Sequence, residues 1–77
     1  MTRYHLVCDL DGRPLSLLRR WAGPDGVVDE VLRRDLRWYP TGWLARNDRN
    51  GEYPVEEIPA ERAGEIRDRW RAAWSDR

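Results

Sequence analysis

The 77-residue chain predicts an α+β fold, a small antiparallel sheet of three or four strands with a C-terminal amphipathic helix packed on one face. Three observations point there. Apolar and polar residues alternate before the Asp11-Gly12 pair, Gly- and Pro-containing turn signals separate several short β-branched or aromatic runs, and from Pro59 onward apolar residues recur every three or four positions.

Tyr4, Leu6, Cys8 and Leu10 share one face of the first extended segment, with His5, Val7 and Asp9 on the other. Asp11-Gly12 suits a two-residue hairpin loop because glycine enters positive φ without steric cost. That loop sets Leu10 opposite Arg13, Cys8 opposite Leu15 and Leu6 opposite Leu17, which gathers apolar side chains on one face. Pro14 has no N–H to donate, so it belongs to an edge or a strand start. A helix over residues 14–21 is the rival reading. Residues 22–26, Ala-Gly-Pro-Asp-Gly, form a turn. Val27 to Arg33 is assigned as strand from its β-branched start, although Val27, Val31 and Leu32 also fit helical spacing. After a turn near Arg34-Asp35 the chain returns as a short strand from Leu36 to Tyr39, ended by Pro40. Thr41 then caps a short helix carrying Trp43, Leu44 and Arg46, which finishes in the polar loop Asn47 to Gly51.

The final helix runs from about Pro59 through Trp74, with Ala63, Ile66, Trp70, Ala73 and Trp74 as its apolar stripe. Glu56, Glu57 and Glu61 lie around its start and Arg69, Arg71 and Arg77 toward its end, which suits the macrodipole, and Glu65 with Arg69 makes an i,i+4 pair. Gly64 breaks the pattern. It is expected where the helix backbone crosses the sheet closely, beside Tyr or Trp.

Composition sets the limits of function. One domain spanning residues 1–77 leaves no room for a second core or a large enclosed cavity. The five tryptophans are expected to supply much of the core, since each buries about 150–250 Å². Fourteen arginines balance fourteen acids at a pI near 6.6, so no long-range field draws the chain to phosphates or anionic membranes. A single cysteine, Cys8, allows no intramolecular disulfide, and neither a signal-peptide pattern nor a long apolar run occurs. A cytoplasmic protein without membrane contact is therefore expected.

No catalytic constellation emerges. His5 is the only histidine, and three positions along a strand put it on the opposite face from Cys8, so the two cannot ligate together or act as a nucleophile-base pair. Asp9/Asp11, Asp29/Glu30 and Glu56/Glu57 are paired carboxylates without a supporting motif, and the chain has no glycine-rich phosphate loop, nucleophile elbow or zinc spacing. Neither enzyme activity nor a cofactor or metal is expected.

The segment from Leu36 to Arg46 interleaves large aromatics with arginines, the residue types that concentrate binding energy at protein interfaces. Arg37, Tyr39, Trp43 and Arg46 are its candidate partner-binding residues; Trp38 and Trp43 also suit a core. Arg19 and Arg20 with Arg33, Arg34 and Arg37 form a second candidate patch on an open sheet face, beside the apolar set His5, Val7 and Leu18 that a second copy would cover. An exposed edge strand offers another route to self-association. The expected function is a small non-enzymatic accessory or interaction protein, acting by protein–protein contact or as a homodimer. The alternative is a nucleic-acid-binding regulator using the arginine and aromatic surface.

Overall fold

A computed structural model describes residues 1–51 and 53–75, with residues 48–50 described by their backbone. In chain order the elements are β1 (Arg3–Cys8), β2 (Pro14–Gly23), β3 (Gly26–Leu32), β4 (Trp38–Pro40), α1 (Trp43–Asn50), β5 (Val55–Ile58) and α2 (Ala60–Ser75). The five strands form one sheet in the order β4-β3-β2-β1-β5, with every neighbouring pair antiparallel. The α+β class and the C-terminal helix agree with the sequence reading, whereas three or four strands must become five.

The strand that sequence reasoning omits is β5. Its Val-Glu-Glu-Ile run carries two adjacent exposed acids and lies between Pro54 and Pro59, so it shows no alternation of its own. It forms because β1 would otherwise present unpaired backbone groups. Tyr4 pairs with Ile58 and Val7 with Val55, which buries Ile58 on one face and half-buries Val55 on the other.

In the first hairpin Leu6 pairs with Leu17 as expected, but the register shifts between Val7 and Cys8, and Cys8 faces Pro14 rather than Leu15. The cause is the loop. Asp9 N–H donates to Arg13 O and Gly12 N–H to Asp9 O, closing three residues instead of two, with Gly12 at φ 83°. This is a turn followed by a left-handed residue, the usual geometry of a three-residue hairpin loop. The β3–β4 connection repeats it. Arg33 N–H donates to Arg37 O and Leu36 N–H to Arg33 O, and here Leu36 takes the left-handed position at φ 63°. A leucine tolerates that backbone because its side chain packs against the core.

The largest correction concerns the layers: a helix packed on one face becomes a helix on each face. On one side Leu6, Leu17, Leu32 and Ile58 meet Ala63 and Ile66 of α2. On the other, Val7 and Leu18 meet Leu44 of α1, so the apolar set expected on an open face is covered. Thr41 contributes as expected, its Oγ1 accepting from Trp43 N–H, although Gly42 occupies the cap position itself. The α1 helix also continues through Asn47, where a loop was expected, and ends at Gly51 in the left-handed conformation.

The core is aliphatic. Leu, Val, Ile and Ala residues are its fully buried members, while all five tryptophans are only partly buried, contrary to expectation. Gly64 also departs from its expected role, because a Cβ placed there meets nothing within 4 Å. Ala73 is exposed rather than part of the buried stripe. The ion pair found along α2 is Asp68–Arg71 at 3.8 Å rather than the expected Glu65–Arg69, and Arg77 lies outside the described residues.

Candidate functional site

A groove of about 650 Å³ lies at one end of the molecule. It lies where three elements of the chain converge: the start of β2 supplies Pro14 and Leu15, the end of β3 supplies Leu32, and the last turns of α2 supply Trp70 and Trp74. The two indoles are one helical turn apart, with ring centroids separated by 5.4 Å at 30°. Helical spacing puts them on one face; Trp70 packs against the core cluster, and half-buried Trp74 lines the groove beside it. Leu15 is 49% exposed beside them.

Arg33, Arg34 and Asp35 form the polar side of this groove. The charges are arranged by the tight β3–β4 loop. Asp35 accepts from the Tyr39 hydroxyl and, at 3.0 Å, from Arg37 N–H. The Tyr39 hydrogen bond first, and the Arg37 amide after it, hold the Asp35 carboxyl below its ordinary range, while the same bond raises the Tyr39 phenol. Arg33 lies over the Tyr39 ring at 5.0 Å. Asp35 is thus already engaged with Tyr39 and Arg37, and no carboxylate among the described residues forms an ion pair with Arg33 or Arg34.

The four residues singled out in the sequence divide between two places. Tyr39 adjoins the groove through its contacts with Asp35 and Arg33, and exposed Arg37 belongs to the same loop. Trp43 and Arg46 instead lie on α1. Trp43 packs against the Val7, Leu18 and Leu44 cluster with Tyr53 at 6.3 Å, and Arg46 is exposed. Trp38 packs against the core opposite α1, 6.2 Å from Tyr4.

The expected arginine patch does not assemble as one surface. Arg19 and Arg20 are successive strand residues and point to opposite faces. Each meets an acid on β3: Arg19 bonds Glu30 at 2.8 Å, and Arg20 holds Asp29 through two hydrogen bonds of 2.7 and 3.0 Å. Glu30 also accepts from the Trp21 indole at 2.9 Å, and that bond foremost, aided by Arg19, holds its pKa below the usual carboxylate value.

A smaller cleft of about 130 Å³ lies between α2 and the Tyr4, Arg19 and Trp38 side chains. Its Arg19 is committed to Glu30 and stacks on Trp38 at 4.4 Å. Among the described residues no three His, Cys, Asp or Glu side chains gather as metal ligands, and no helix is long and apolar enough to cross a membrane. His5 Nε2 is buried without a hydrogen-bond partner.

Sequence reasoning missed the end groove because Trp70 and Trp74 fit a buried stripe equally well. The available signal was the position of Trp74 at the last turn of the final helix, together with apolar Leu10 and Leu15 beside a hairpin turn. Comparison with protein-family models, curated proteins and solved structures gave no match.

Proposed function

We propose that this chain is a non-enzymatic interaction protein that binds another polypeptide through the end groove. The observation that carries the reading is an apolar floor and wall, Leu15, Leu32, Trp70 and Trp74, bordered by two arginines without carboxylate partners among the described residues. An aromatic centre with an arginine rim is the composition of a protein hot spot. Arg37 and Tyr39 extend that rim. Trp43 and Arg46 belong to the proposal only as a separate surface on α1, since Trp43 has packing to do there.

Binding by added β-strand is disfavoured by the sheet edges. One edge, β4, has three residues and ends in Pro40; the other, β5, has four residues with exposed Glu56 and Glu57 between prolines. Contact by side chains is the remaining mode. The nucleic-acid alternative loses support where Arg19 and Arg20 are neutralised by acids. A reducing, cytoplasmic setting suits the free Cys8 thiol.

The test is a photo-crosslinking residue placed at Leu15 in one variant and at Val27 in another, both exposed positions, in cells that express the protein. The expected result is a discrete protein adduct from position 15 and none from position 27. Equal adducts from both positions, or none from position 15, would contradict the reading.

A further inference from the structure

We infer that the occupant of the end groove is the β1–β2 hairpin tip of a second copy, with Leu10 as the inserted side chain. The inference rests on the groove being a polypeptide-binding surface. Leu10 is 85% exposed, and it sits in the loop that leads directly into Pro14 and Leu15 of the groove.

The loop holds Leu10 outward in a fixed geometry. Asp9 Oδ1 accepts from Asp11 N–H at 2.9 Å and from Arg13 N–H at 2.8 Å, while the Asp9–Gly12 and Asp9–Arg13 backbone bonds close the turn. A leucine presented by so many local bonds loses little conformational freedom when it binds, which favours its use as an anchor.

The charges of tip and groove are complementary. Leu10 is flanked by Asp9 and Asp11, and the exposed Asp11 carboxylate forms no ion pair among the described residues. Arg33 and Arg34 on the groove rim likewise form none. The opposite charges are Arg13 at the base of the tip and Asp35 on the rim, the latter engaged by Tyr39 and Arg37. The Asp11 carboxylate on the tip and the Arg33 and Arg34 guanidinium groups on the groove are thus charges without ion pairs among the described residues that the two surfaces offer each other.

Their placement fits two-fold symmetry. Tip and groove lie on the same hairpin at the same end of the molecule, so an axis beside the loop lets each Leu10 enter the other copy's groove, forming both contacts at once. Each Asp11 then faces the other copy's Arg34. The symmetric arrangement closes after two copies and leaves no groove open for a third.

The experiment is light scattering after size exclusion, on the full chain over a dilution series, for the wild type, Leu10→Ser, Arg34→Asp, and Arg34→Asp with Asp11→Arg. The wild type is expected to pass from dimer to monomer on dilution. Leu10→Ser removes two leucines from one symmetric interface, so the dissociation constant should rise on the order of a hundredfold, while the melting temperature measured at dilutions where both proteins are monomeric stays unchanged. Arg34→Asp alone should weaken the dimer at least about tenfold, and adding Asp11→Arg should restore it.

A wild type that stays monomeric at every concentration, a Leu10→Ser variant that dimerises as well as the wild type, or a double variant no tighter than Arg34→Asp would overturn the inference. The crosslink from position 15 separates this failure from that of the function. An adduct of twice the chain mass supports self-docking, whereas an adduct only with a different protein rejects self-docking and leaves the interaction function standing.

Discussion

Leu17 and Trp74 illustrate why the residues that dominate composition do not dominate stability. Leu17 is 1% exposed at the sheet centre, while Trp74 stacks on Trp70 with one face open to the groove. Leu17→Ala is expected to cost about 2–5 kcal/mol, because a cavity remains among neighbours that relax only in part. Trp74→Ala should cost about 1–2 kcal/mol, from the lost stack and partial burial. Urea unfolding of both variants checks the order, and an equal or greater loss for Trp74→Ala would place that tryptophan in the core. Asn47 is a second residue whose importance exceeds its appearance. It is 8% exposed, its amide donates to Tyr53 O, and its carbonyl oxygen accepts from Tyr53 N–H, both at 3.0 Å. Asn47→Ala removes both bonds at once and should lower stability by roughly 1–3 kcal/mol in the same assay. Glu30 gives the fold an acid limit. Its folded pKa lies below the ordinary 4.5, so its contribution is complete above that value and fades as pH falls through the folded one. The unfolding midpoint of the wild type should drop more steeply below about pH 4.5 than that of Glu30→Gln. Parallel curves for the two proteins would remove Glu30 from the acid response.

At the scale of elements, α2 contains a correctable weakness. Gly64 sits in mid-helix with open space where a methyl would go, so Gly64→Ala should stabilise by roughly 0.5–1 kcal/mol and raise Tm by about 2–8 °C. Calorimetry would show it, and a lower Tm would mean that the helix does approach the sheet more closely there. The elements that the sequence made legible were those with their own periodicity. The β1–β2 hairpin and the terminal helix each contain enough regularly spaced apolar residues to declare a buried face. The shift at Cys8 was not legible, since an Asp-Gly pair serves a two-residue loop and a three-residue loop alike. The strand β5 was hidden for a different reason, because only pairing with β1 gives four residues with two central acids a reason to extend. The tight β3–β4 loop likewise uses Leu36 where glycine would have been a recognisable signal, and only contact with the core explains that choice.

The whole molecule is a sheet covered by a helix on each face, with short, proline-guarded edges; Leu10 and Leu15 are exposed at the end that carries the groove, and Met1, Val27 and Tyr53 are exposed elsewhere. The face carrying His5, Val7 and Leu18, expected to be open to a second copy, is covered by α1, and the proposed self-association involves Leu10, Leu15 and Trp74 instead. The groove could not be read from spacing, because its walls come from β2, β3 and α2, and α2 is far from the two strands in the chain. Of the four residues expected from the sequence, Arg37 and Tyr39 contact Asp35 beside the proposed groove, while Trp43 packs with the cluster under α1 and Arg46 is exposed on that helix. Chemical shifts of the isotopically labelled chain, followed from dilute to concentrated solution by NMR, test the central claim most directly. The amides of Leu10, Leu15 and Arg34 and the indole N–H groups of Trp70 and Trp74 should move together with concentration, while those of Val27 and Glu57 stay fixed. Shifts that gather around Trp43 and Arg46, or that do not depend on concentration anywhere, would contradict it.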